Sequence, residues 1–94
     1  MIRIRTIIEV VGFPENYIKE AMNKIVENVK DKKHIKIIDY HIEETKKFDK
    51  MYSTFTELVL ELGTLQEVLD FCFDYLPSSI EIIEPENINE RAID

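Results

Sequence analysis

Asp39, His41 and Glu43 stand two residues apart in a stretch rich in isoleucine, His34 to Glu44. On a strand, residues at that spacing share one face. An imidazole between two carboxylates could ligate zinc, or act as a base oriented by a carboxylate. The plainer reading is the solvated outer face of an edge strand, because three ligands from one flat strand seldom converge on a metal. No metal and no cofactor is therefore expected. Cys72 is the single cysteine, which excludes an intramolecular disulfide framework. A catalytic thiol needs exposure and a positive neighbourhood. Cys72 instead falls in an apolar stripe between Asp70 and Asp74, and reads as a small buried hydrophobe. Pro77-Ser78-Ser79 resembles an anion-binding turn but follows a helix C-terminus, where the dipole is negative. It reads as a helix stop with hydroxyls serving the loop backbone.

Lys30, Lys32, Lys33, Lys36, Lys46, Lys47 and Lys50 gather around the two ends of the same stretch, with Tyr40 and Tyr52 near. Lysines interleaved with aromatics could grip a nucleic-acid strand. Lysines also protect an edge strand from pairing with a neighbour. The formal net charge of -7, from 12 bases and 19 acids, disfavours nucleic acid or an anionic membrane as a partner by bulk charge. That charge is unevenly spread: residues 1–50 carry 11 bases against 9 acids, and residues 51–94 carry one base against 10.

The elements that must position these residues follow from periodicity. Ile2 to Val11 alternates with period two and is a strand closed by Gly12. Ile18, Ala21, Met22, Ile25, Val26 and Val29 recur at three and four, which predicts an amphipathic helix opening near Pro14 and Glu15. His34 to Glu44 is a second strand whose apolar parity changes, so a bulge is expected near Ile37-Ile38. Thr45 to Lys50 reads as a polar connection, and Met51 to Leu62 as a third strand. Thr64 and Glu67 form a capping box for a helix from Leu65 to about Tyr75, with an apolar arc of roughly 200°. Ser78 to Glu84 is the last strand, closed by Pro85.

The order β-α-β-β-α-β predicts a ferredoxin-like α+β fold: a four-stranded antiparallel sheet with both helices on one face. The domain is expected over residues 1–85, with residues 86–94 a short C-terminal tail. The run Phe71 to Glu86, FCFDYLPSSIEIIEPE, resembles a segment of small uncharacterised archaeal proteins that look like ferredoxin-like domains. The similarity covers most of the chain and is sharpest in that run. It implies a fold and carries no activity.

Covering one sheet face leaves the other open, and Ile7, Val11, Phe55 and Val59 are expected on it as an apolar patch. Arg3 and Arg5 should oppose Glu57 and Glu61 across it. Phe71 and Tyr75 widen the arc of the second helix into another adhesive surface. The expected function is a non-enzymatic interaction or ligand-sensing module, a homodimer, in the cytoplasm. Its acidic edge is open to a protein partner. An ACT-like small-molecule-binding regulatory domain is one alternative; a nucleic-acid-associated protein using the lysine-rich edge is another. No apolar run is long enough to span a membrane.

Overall fold

The computed structural model describes residues 1–85. The expected tail, 86–94, lies outside the described residues. The elements are β1 (Ile2–Gly12), α1 (Glu15–Lys30), β2 (Ile35–Ile42), β3 (Lys46–Phe48), β4 (Met51–Leu62), α2 (Leu65–Tyr75) and β5 (Ser79–Glu84). All strands join one antiparallel sheet in the order β2-β4-β1-β5, with β3 paired to the start of β4.

The described residues thus form a mixed α+β fold of two helices and five strands, and the expected four-strand layout is not matched exactly. The supposed polar connection contains a strand. Lys47 pairs with Tyr52 and Phe48 with Met51 across a two-residue loop, Asp49-Lys50. Asp49 takes a φ of 57°, a left-handed conformation that aspartate tolerates because its short side chain can bond locally. Two lysines and one phenylalanine give too little alternation to announce a strand.

The long strands follow their sequence parity. Ile2, Ile4, Thr6 and Ile8 of β1 are buried, as are Thr54, Thr56, Leu58, Leu60 and Leu62 of β4. The register places Ile4 against Leu60 and Thr6 against Leu58. Helix α1 lays Ile18, Met22, Val26 and Val29 on this face, and α2 adds Val68 and Phe71. Residues of both helices join one core cluster with those of β1 and β4, so both lie on the same side of the sheet. The buried threonine hydroxyls are not idle. Thr6 donates to the Ser79 carbonyl on β5 at 2.9 Å, and Thr56 to the His41 carbonyl on β2 at 2.9 Å. Each ties a central strand to an edge.

Edge strand β2 carries the expected bulge. Ile37 faces Leu60 and Asp39 faces Val59, so Ile38 is the extra residue. Helix α2 opens as expected too: the Glu67 amide donates to Thr64 Oγ1 at 3.1 Å. It closes on Leu76 in the left-handed region, φ 47° and ψ 57°, with the Leu76 amide on the Cys72 carbonyl.

The open face begins with a ladder of alternating charge. Lys36, Glu61, Arg3 and Glu84 sit side by side across β2, β4, β1 and β5. Arg3 Nε donates to Glu61 at 3.1 Å. Arg5 does not meet Glu57; its partner is Glu81 on β5, at 2.9 Å. The hydrogen bond from Arg3 holds the Glu61 carboxyl below the ordinary glutamate range, against a smaller upward push from desolvation. Glu61 therefore takes up a proton less readily folded than unfolded. Its contribution to stability is complete above the unfolded value, about pH 4.3, and is lost as pH falls through the lower folded value. Wild type should lose melting temperature more steeply than Glu61→Gln below about pH 5. Parallel melting curves for the two proteins would refute that role for the pair.

Candidate functional site

The polar trio on β2 does not assemble into a centre. His41 Nε2 lies 3.0 Å from Glu43 Oε1, with both side chains in solvent. Asp39 turns away and accepts from the Tyr40 amide at 2.9 Å. The nearest cross-strand neighbour of His41 is Glu57, on the open face. Among the described residues, no three His, Cys, Asp or Glu side chains group closely enough to hold a metal ion. Cys72 is half-buried, and burial pushes its thiol above its ordinary pKa. That is the direction of an unreactive thiol.

The open face is less apolar than its residue types suggest. Ile7, Phe55 and Val59 are half-buried, and only Val11 is well exposed. Charged residues interleave with them: Ile7 sits between Glu57 and Ser79, and Phe55 opposes Glu9. The four expected residues do share the face, but as islands among glutamates and arginines.

The second helix gives the opposite result. Phe71 is 2% exposed and belongs to the core, so it offers no surface. Tyr75 stacks on Phe71 with ring centroids 4.9 Å apart, and its hydroxyl donates to Asn28 of α1. Burial, and then Asp74, push the Tyr75 hydroxyl pKa upward. This half of the arc is turned toward α1. The other half carries the exposure: Leu65, Leu69, Phe73 and Leu76 stand on the flank away from α1. Phe73 is 77% exposed and Leu76 78%. On β5, Ile80 and Ile82 oppose Thr6 and Ile4 and so share the helix side of the sheet, yet both are exposed. The two sets leave several large apolar side chains exposed on this side of the molecule. Sequence periodicity flagged the arc; it lacked the position of α1, which decides the half that is covered.

Two concavities among the described residues bear on binding. A cavity of about 460 Å³ lies between the first half of α1 and the end of β2, lined by Glu15, Lys19, Asn23, Glu43, Glu44 and Thr54 among others. Glu15 pairs with Lys19 at 3.5 Å, and Thr54 donates to the Glu43 carbonyl at 2.7 Å. Among the described residues, no buried side-chain nitrogen or oxygen lacks a hydrogen-bond partner. A second concavity, about 510 Å³, sits at the tip of the β3–β4 hairpin beside Phe13. The lysines divide between regions. Lys30 lies over the Tyr40 ring at 4.5 Å, Lys36 joins the charge ladder, and Lys46, Lys47 and Lys50 gather at that tip. No helix among the described residues is long and apolar enough to cross a membrane.

The MJ0538 family model covers residues 3–93. No curated protein and no solved structure matches the chain.

Proposed function

The chain belongs to the MJ0538 family, and we propose that this member is a non-enzymatic interaction module that pairs with a second copy of itself. The pairing surface is the α2–β5 band. The carrying observation is Leu76. It is largely exposed and sits in the left-handed region at a helix C-terminus. Glycine is the ordinary residue there, and a leucine costs about 1–2 kcal/mol of backbone strain. Neither packing within the monomer nor backbone conformation calls for leucine, so a contact outside the monomer is the remaining reason for it.

The frame, on this reading, is ferredoxin-like. With β3 set aside as an elaboration of the hairpin, the order β2-β4-β1-β5 and two helices on one side are the split βαβ arrangement. A twofold axis through the band would place Phe73 and Leu76 of one copy against Leu69 and Ile80 of the other. The open sheet face is the weaker surface because its arginines and glutamates already pair within the monomer. The ligand-sensing alternative rests on the cavity beside α1, where Glu15 and Lys19 pair with each other and Thr54 donates to the backbone. The His41 side chain of the His41–Glu43 pair stays largely in solvent, which favours a non-enzymatic role.

Sedimentation analysis should give a particle of twice the 11.2 kDa chain mass. Phe73→Glu should raise the dimer dissociation constant by about 30-fold or more, the effect of losing an interface anchor. A wild-type protein that stays monomeric at high concentration, or a Phe73→Glu variant that dimerises normally, would overturn the proposal.

A further inference from the structure

The tip of the β3–β4 hairpin is chemically unlike the rest of the molecule. Lys46, Lys47 and Lys50 crowd there against the single Asp49. Among the described residues, none of the three lysines is in an ion pair, whereas the arginines of β1 are all engaged. The same tip carries aromatic rings. Phe13, in the loop after β1, lies against Tyr52 with centroids 6.4 Å apart and planes at 31°. Phe13 is 68% exposed and Phe48 is 74% exposed. Phe13, Tyr52, Met51, Lys47, Lys50 and the carboxylate-bearing Asp49 line the concavity of about 510 Å³. Its lining is mostly apolar, with ammonium groups at the rim.

We infer that this tip binds single-stranded nucleic acid. Ring faces that are exposed beside unpaired lysines suit a ligand that alternates planar bases with phosphates. Tilted, partly exposed rings offer a stacking platform, and the lysines on either side of the hairpin lie where a backbone would pass. The overall charge sharpens the assignment. A net charge of -7 disfavours a polyanion over most of the surface, and of the two lysine clusters this one also carries exposed aromatic rings. Neither an arginine fork nor an asparagine or glutamine lines the concavity, so little base discrimination is expected. Duplex bases are stacked on one another and give the rings nothing to hold, so single strands are preferred. This surface is separate from the α2–β5 band, and the inference stands whether or not the protein dimerises.

The test is fluorescence anisotropy with a short labelled oligouridylate, repeated with a duplex of the same length and with anionic vesicles. Wild type should bind the single strand with a log–log salt slope of about -2, as expected for three phosphates at about -0.7 each. Charge reversal of all three lysines, Lys46→Glu, Lys47→Glu and Lys50→Glu, should abolish binding. Phe13→Ala keeps the charges and should weaken binding roughly 5- to 150-fold, the loss of one stacked base. Both variants alter exposed side chains and should melt as wild type does, which separates a lost site from a lost fold. Three results would overturn the inference: no binding at low salt, equal affinity for duplex, or vesicle binding without oligonucleotide binding. A Phe13→Ala variant that binds as tightly as wild type would overturn the stacking mode.

Discussion

Phe71→Ala should lower the unfolding free energy by about 3–5 kcal/mol, as expected for a buried aromatic. The reason lies in how little else anchors α2. Of its eleven residues only Val68 and Phe71 are buried. Phe71 belongs to the core cluster that includes Ile4, Leu60 and Val29, and its ring packs against Tyr75. Removing it leaves a cavity and frees the tyrosine at once. A domain of this size has about 5–15 kcal/mol in all. The urea midpoint should therefore fall by about a fifth or more, and far-ultraviolet circular dichroism should show helix lost ahead of strand. A loss under about 1 kcal/mol would mean that α2 is held by something other than this ring.

Leu60→Ala should cost a similar amount, about 3–5 kcal/mol. Leu60 is fully buried on the central strand β4, between Ile4 of β1 and Ile37 of β2. Backbone pairing on both sides prevents the sheet from closing into the gap. Its chain neighbour Val59 points to the other face and is half-buried. Val59→Ala should cost only about 1 kcal/mol, the transfer of a little more than one methylene equivalent from partial burial. The contrast between adjacent positions is the measurement. Equal losses from chemical denaturation would show that the two faces of β4 are wrongly assigned.

Much of this architecture is written locally. The parity of β1 and β4 separates Ile4 and Leu60 from Arg3 and Val59, because a strand has only two sides. Thr64 and Glu67 mark the start of α2 through a contact three residues long. The break in parity at Ile37-Ile38 announces the bulge. What was not legible depends on distant partners. Arg5 meets Glu81 because of the register of β5, which no residue near Arg5 specifies. Phe71 and Phe73 are alike in type and lie on one continuous arc; the side that α2 turns to the core buries one and exposes the other. The aromatic tip was hidden for the same reason. Phe13 and Tyr52 are far apart in sequence and become neighbours because β1 ends opposite the start of β4.

The bulge at Ile38 also gives strand β2 one residue of slack. Remove Ile38 and every remaining residue of β2 keeps its partner on β4. Remove a residue elsewhere in the strand, and flattening the bulge absorbs the cut, displacing only the residues between it and position 38. The strand can thus lose one interior residue without turning Ile35 or Ile42 to the other face. The flattened edge would present a straighter row of backbone donors and acceptors to other chains. Length tolerance and resistance to edge pairing therefore draw on the same spare residue, and a shortened β2 would exchange the second for the first.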